Sequence, residues 1–388
     1  MGGTAVNDKG PLSGVRVVEV SSFVASPLCG LTLAQMGVDI VRVDPIGGAA
    51  DTDRLPRADS SGDSIYWTGL NKGKQSIVEN LRDAEGQKRV QDLIVDSGDE
   101  GGILVTNSAG REWMSYGTLA GMRDDVIVVE ILGTREGGPA VDYTVNAGLG
   151  FPSITGPTDG GGVVNHVLPA WDVACGLYAA LAVVTAVRNR ELTGRGAHIQ
   201  IPLEDVALSV ASTLGYLTEP QVNGRGREAV GNDVYGTYGT DFATGDGGRI
   251  MVVVLTDRHF RDLVTLTGVV EAVSAVGSAL GADFTLESDR FEHRAVLHAL
   301  FEPWFRSRST TDAERALAAT SVLSQRYQSF DEAVASGQLK DNPLFAELVQ
   351  PGIGTFLAAA SPISFDGAYL RTGPAETLGA SSGGFDWE

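Results

Sequence analysis

The sequence predicts an α/β protein: a large domain built on a parallel sheet, with a smaller α+β domain beside it. Three observations carry this. Short apolar strands alternate with helical stretches from residue 14 to residue 217, the pattern of successive β-α-β units. Composition then turns polar and Gly-rich over 218–234, as in a linker. Beyond it, two strands flank the turn Gly245-Asp246-Gly247-Gly248 and a long helical stretch follows.

Residues 14–20 (GVRVVEV) read as a strand, and Ser26 and Pro27 suit the cap and first position of a helix running to Met36. Residues 38–44 are the next strand. Asp44 falls where a dinucleotide fold places its ribose-binding acid, but the first turn, SSFVAS, lacks the GxGxxG fingerprint, so nicotinamide binding is not expected. Residues 46–64 form a polar loop. Residues 70–77 (LNKGKQSI) read as a turn between apolar pieces, where Lys72 and Lys74 either hold phosphates as point charges or face solvent. A helix near 85–96, a strand 102–106, a helix near 116–122 and a strand 126–132 continue the alternation. Asn107 ends a strand, where open α/β sheets bind ligands and where a turn-forming Asn is equally at home.

The stretch VVNHVLPAWD, residues 163–172, runs into the uncharged apolar segment 173–187. That helix is apolar on every face up to Arg188, which predicts burial all round. Two readings of Asp172 stay open. Asp is a favoured helix cap, and a carboxylate desolvated by Val167, Leu168, Trp171 and Val173 is also a candidate for chemistry.

A tight turn at 193–196 leads into a strand at 197–201 and a helix at 204–217. The domains are expected at 1–218, completed by 340–388, and at 235–330, with a linker at 219–234. Strands at 236–243 and 249–255 precede helices over roughly 257–339. Residues 342–365 return to short extended pieces, and the small polar tail 380–384 is expected to be loose.

At 388 residues the chain can bury a large core, and 43% hydrophobic with 20% charged residues is the balance of a soluble globular protein. A net charge of -20 argues against nucleic acid, and an anionic ligand would need a local cationic patch. The run 173–187 falls short of the ~20 residues a membrane span needs, and the N-terminal residues show no signal-peptide pattern. No membrane contact and a cytoplasmic location are expected. Cys29 and Cys175 are too few for a disulfide framework, and the five histidines form no ligand pair, so no metal is expected.

The strings PLSGVRVVEVSSFVASP, LAQMGVDIVRVDP, LNKGKQSI, DYTVNAGLG, PAWDVACGLYAAL, LTGRGAHIQIPLEDVAL and PGIG occur in one order. Over almost its whole length the chain thereby resembles the family III CoA-transferases. The resemblance implies a Rossmann-like large domain and an interlocked homodimer. It also implies an acyl-CoA substrate, with coenzyme A entering as part of that substrate and no tightly bound cofactor. Asp172 matches the family's nucleophile, a carboxylate that attacks a thioester and leaves a mixed anhydride. Phe23, Val24 and Ala25 match positions lining the CoA site; Asn71, Lys72, Lys74 and Asn107 match its polar surroundings, and Arg111 is a further phosphate contact.

The racemase branch of that family carries a His immediately before the acidic residue matching Asp142; here the position is Val141, so racemisation is not expected. The implied reaction is CoA transfer between two carboxyls of one branched, unsaturated C4 diacid. Asn165 and His166 are then candidates to hold its free carboxylate, beside Asp142, although a histidine packed in a loop is the plainer reading of His166. No GGGGQ-like run occurs between 224 and 240, which favours the intramolecular reaction over transfer to a second acid. A non-catalytic acyl-CoA binder is the alternative from another class.

Overall fold

A computed structural model describes residues 10–158, 162–383 and 385–387. The chain divides into two compact units, one of Met1–Leu149, His166–Gly224 and Gln338–Glu388, the other of Gly150–Asn165 and Arg225–Gly337.

The first unit alternates β1 (Arg16–Val20), α1 (Ala25–Gln35), β2 (Asp39–Pro45), α2 (Ile65–Asn71), β3 (Gln75–Glu79), α3 (Ala84–Val95), β4 (Ile103–Thr106), α4 (Tyr116–Ala120), β5 (Ile127–Leu132) and α5 (Asp142–Gly148). After α6 (Phe151–Ile154), which belongs to the second unit, it resumes with α7 (Ala170–Thr193), β6 (Ala197–Pro202), α8 (Leu203–Thr213) and α9 (Thr218–Asn223). The last of these is a helix within the stretch read as a linker. The strands form one parallel sheet in the order β3-β2-β1-β4-β5-β6. Val17, Val18, Val41, Leu104 and Val128 are buried, as expected of strands covered on both faces. Strand order reverses between β1 and β4, so the C-terminal ends of those two strands border the crevice where such sheets take ligands.

Two elements of this sheet were not legible as such. Residues 70–77, read as a turn between apolar pieces, hold the end of α2 and the start of β3. Ser64 Oγ caps α2 by accepting the Trp67 amide at 3.0 Å, and β3 is a strand because it pairs with β2. As an edge strand β3 needs cover, and the C-terminal segment supplies it. The Ser76 amide donates to Glu376 Oε2 at 2.8 Å, the Ser381 amide to Ser76 O at 2.9 Å and the Val78 amide to Ser382 Oγ at 2.9 Å. The tail expected to be loose is therefore pinned to the sheet through Ser382; Gly384 lies outside the described residues.

The long helix α7 also departs from expectation. Trp171, Cys175, Gly176, Ala179, Ala180 and Val183 face inward, chiefly against α1. Gly176 is the point of closest approach, since a Cβ there would lie 2.6 Å from Ala25 O. The opposite face is open, with Leu177, Tyr178 and Leu181 about half exposed. Its 24 residues are long and apolar enough to span a membrane by length and composition, but its inward packing is that of a core helix.

In the second unit, β7 (Tyr238–Ala243), β8 (Arg249–Val254), helices α10 (Asp257–Thr267), α11 (Val270–Leu280), α12 (Glu287–Glu292), α13 (Arg294–Arg306) and α14 (Thr310–Ala318), and β9 (Leu323–Arg326) surround a core of Tyr238, Phe242, Phe301 and Phe305. The strands form an antiparallel sheet in the order β7-β8-β9. β9, with the weak pattern LSQR inside a stretch read as helical, is a strand because β8 offers it an open edge.

Candidate active site

At the amino end of α7, the preceding Pro169 offers no side-chain cap. Asp142 on α5, 30 residues before Asp172, does this work: its Oδ2 accepts the Trp171 amide at 2.7 Å and the Asp172 amide at 3.1 Å. Its Oδ1 accepts from His166 Nε2 at 2.6 Å. The His166 ring packs edge-on to Tyr143, whose hydroxyl donates to Val167 O, and Trp171 Nε1 donates to Asn146 Oδ1 at 3.1 Å. Asp142, with its own acceptors filled by the helix end and the imidazole, is therefore a positioning group.

Of the two readings of Asp172, capping is the one this removes. It is the third residue of α7, not its cap, and no described residue donates a hydrogen bond to its carboxylate. Burial, then the nearby negative charge of Asp142, pushes its pKa up to about 6, with Arg54 acting in the opposite sense. A partly buried carboxylate without hydrogen-bonding partners from the protein is less stabilised than one in water, and with a pKa of about 6 it is still ionised at neutral pH.

Across the α1–α7 contact stands the first turn after β1. Phe23 there adopts φ +64°, a left-handed conformation that costs a non-glycine residue about 1–3 kcal/mol and calls for surrounding structure to hold it. Asn107, at the end of β4, supplies that hold: its Oδ1 accepts the Ser22 amide at 3.1 Å and its Nδ2 donates to Ser22 O at 2.7 Å. The Phe23 amide bonds to Asp51. Asn107 is thus committed to shaping the turn rather than facing a ligand. Val24 and Ala25 are buried, and Phe23 is exposed.

Asn71 and Lys74, expected beside CoA, are also spent inside the fold. Lys74 Nζ donates to both Glu19 oxygens at 3.0 and 2.9 Å, to Pro27 O at 2.8 Å and to Asn71 Oδ1 at 2.9 Å. Asn71 Oδ1 also accepts from Arg42 at 3.0 Å, and Arg42 bridges to Asp44 in a bidentate pair and to Asp51. The whole cluster is buried, so Asp44 anchors an arginine, not a ribose. An ammonium with its donors filled by protein oxygens has none left for a phosphate. Lys72, only half-buried and with its pKa lowered by burial, and the exposed Arg111 remain open to solvent. Asn165 is exposed and belongs to the second unit. Val141 is exposed and puts no base beside Asp142.

Sequence reasoning missed two residues near Asp172. Arg54, in the loop after β2, stands 5.6 Å from the ring centroid of Phe23 and 5.3 Å from that of Tyr66. Burial raises Tyr66 to about 12, and its hydroxyl lies within reach of the charges on Arg54, Asp51 and Asp172. Nothing in a polar Gly-rich loop marks one arginine among several. Among the described residues no cluster of three or more His, Cys, Asp or Glu side chains could hold a metal.

A doubly wound sheet with a partly buried aspartate of raised pKa near the head of its long helix is compatible with acyl transfer, and the chain belongs to CoA-transferase family III, which it matches over residues 12–380. It is 44% identical over 374 residues, 96% of this chain and 91% of the relative, to the 2-methylfumaryl-CoA isomerase of Chloroflexus aurantiacus. It is 26% identical to the succinate–glutarate CoA-transferase of Agrobacterium fabrum, over 93% of this chain and 92% of that one. In fold it is similar to a CAIB/BAIF family protein from Brucella suis, with a TM-score of 0.79, 24% identity, and coverage of 96% of this chain and 97% of that one.

Proposed function

We propose that the protein moves CoA between the C1 and C4 carboxyls of 2-methylfumaryl-CoA through an acyl anhydride on Asp172. The observation that supports this reading most is the division of labour between two carboxylates: Asp142 caps α7, leaving the partly buried Asp172 carboxylate uncommitted to the helix end. The likeness to the isomerase of Chloroflexus aurantiacus supports the choice of acyl group.

In this scheme Asp172 attacks the thioester carbonyl, the C–S bond breaks and CoA leaves as the thiolate. The thiolate then attacks the Asp172 carbonyl of the anhydride, giving an aspartyl-CoA thioester and freeing the first carboxylate of the diacid. The second carboxylate attacks that thioester, CoA leaves again, and its attack on the substrate carbonyl of the new anhydride regenerates Asp172. Each bond broken is matched by one formed, so no cofactor or metal is consumed. The CoA phosphates would be met by Lys72 and Arg111, with Phe23, Val24 and Ala25 beside the pantetheine arm; His166 would border the acyl group.

A homodimer fits the open apolar face of α7, where Leu177, Tyr178 and Leu181 await cover. A cytoplasmic location is consistent with an acyl-CoA substrate. Incubation with 2-methylfumaryl-CoA labelled at C1, without added acid, tests the reaction. Interconversion of the positional isomers that is lost in Asp172→Asn is expected; exchange only after a second diacid is supplied would replace the intramolecular reading with transfer between molecules.

A further inference from the structure

Arg54 is an exposed arginine held without a carboxylate. Among the described residues none accepts a hydrogen bond or ion pair from its guanidinium, whereas Arg42, Arg89, Arg123 and Arg135 are all paired with acids. It is nevertheless built into place. Its amide donates to Asp51 O at 3.1 Å, its carbonyl accepts Ser64 Oγ at 2.6 Å, and Ser64 is itself the cap of α2. The guanidinium lies near the rings of both Phe23 and Tyr66. In a chain of net charge -20 an arginine kept off every acid is set toward an anion from outside.

Geometry puts that anion at the nucleophile. Phe23 sits two residues before Ala25, whose carbonyl bears on Gly176, one turn of α7 beyond Asp172. The left-handed turn at Phe23, held by Asn107 and Asp51, therefore fixes where its ring and the guanidinium near it stand, just ahead of the helix that packs on α7. The charge of Arg54 acts on Asp172 directly.

We propose that Arg54 docks the substrate carboxylate that is not bonded to Asp172, with Phe23 and Tyr66 as the aromatic walls that fix its guanidinium. This rests on the CoA-transfer reading and deepens it. A mono-CoA ester of a diacid carries one free carboxylate, which a planar guanidinium receives through two parallel N–H donors. Because the reaction exchanges the two carboxyls, one fixed cation beside the nucleophile serves both halves of it. It also selects for diacids, since an acyl group without the second carboxylate leaves the arginine unmatched.

The test uses the Asp172→Asn protein, in which turnover is blocked, and calorimetric titration with CoA, crotonyl-CoA and 2-methylfumaryl-CoA, before and after adding Arg54→Gln. The expected result is a dissociation constant for 2-methylfumaryl-CoA raised about 10- to 100-fold, with the other two ligands changed by less than about twofold. Arg54→Lys, which keeps the charge but not the planar fork, should recover part of the loss. Equal weakening of all three ligands would assign Arg54 to the CoA moiety or to the fold, and no weakening of any would leave it without a ligand; either overturns the proposal. Succinyl-CoA and butyryl-CoA provide the same contrast independently of the acyl group. A carboxylate preference that appears only in this second pair, and that Arg54→Gln removes, would reject 2-methylfumaryl-CoA as substrate and still uphold Arg54.

Discussion

Asp142 Oδ2 accepts the backbone amide of Asp172 at 3.1 Å, so one carboxylate caps the helix that carries the other. The contact bears on both the position and the acidity of the proposed nucleophile. It holds the first turn of α7 in place, and the negative charge it brings close is, after burial, the second cause that raises Asp172 to about 6.

The pH dependence follows. Only the ionised Asp172 attacks a thioester, so kcat/KM should rise through about pH 6 and level off above it. Asp142→Asn keeps a capping oxygen but removes the charge, and should move this acid limb to lower pH. A pH–rate profile of the two proteins is the measurement, and a limb that stays in place would reject the electrostatic coupling.

Stability should carry the opposite mark. Folding raises the Asp172 pKa above its ordinary 3.8, so the folded state favours the protonated form. Stability is therefore greatest below the unfolded value and is lost as pH rises toward the folded one. Asp172→Asn removes this penalty and should stabilise the protein by at most about 3 kcal/mol at pH 8 and by about 1 kcal/mol at pH 4.5. Denaturant titrations at the two pH values read the difference.

Lys72 and Lys74, two residues apart, should behave differently. Lys74→Ala takes the nearest cation from the buried Glu19 carboxylate and should cost about 3 kcal/mol of stability, with Glu19→Gln in the same chain restoring part of it. Lys72→Ala should leave the melting temperature within about 1 °C while raising KM for the acyl-CoA several-fold. Thermal melts and steady-state kinetics on the same preparations separate the two.

The α1–α7 contact should tolerate no added methyl. At Gly176 a Cβ would stand 2.6 Å from the Ala25 carbonyl, a backbone atom that moves only with its helix. Gly176→Ala should cost about 1–3 kcal/mol and lower kcat, because, of the helices that separate, one follows directly on the Phe23 turn and the other carries Asp172. Unchanged kcat in a destabilised variant would show that the turn and the nucleophile are independent.

What the sequence determined by itself was local. Strand and helix periods, read within ten to twenty residues, were enough for the β-α-β alternation, and the lone acid before an apolar helix was enough to make Asp172 a candidate. The tertiary structure decided everything that depends on partners far along the chain. Whether Asp172 or another group caps α7 is settled by a residue 30 positions away. Lys74 is structural because Glu19 stands 55 positions before it, and β3 and the tail are ordered because they meet across about 300 residues. Asn107 shapes a turn 85 residues earlier. Residue type marks a group as able to carry charge or donate a proton. Which partner uses up that capacity, and which group keeps it for a ligand as Arg54 does, is decided only when the folded chain assigns the hydrogen bonds and removes the water.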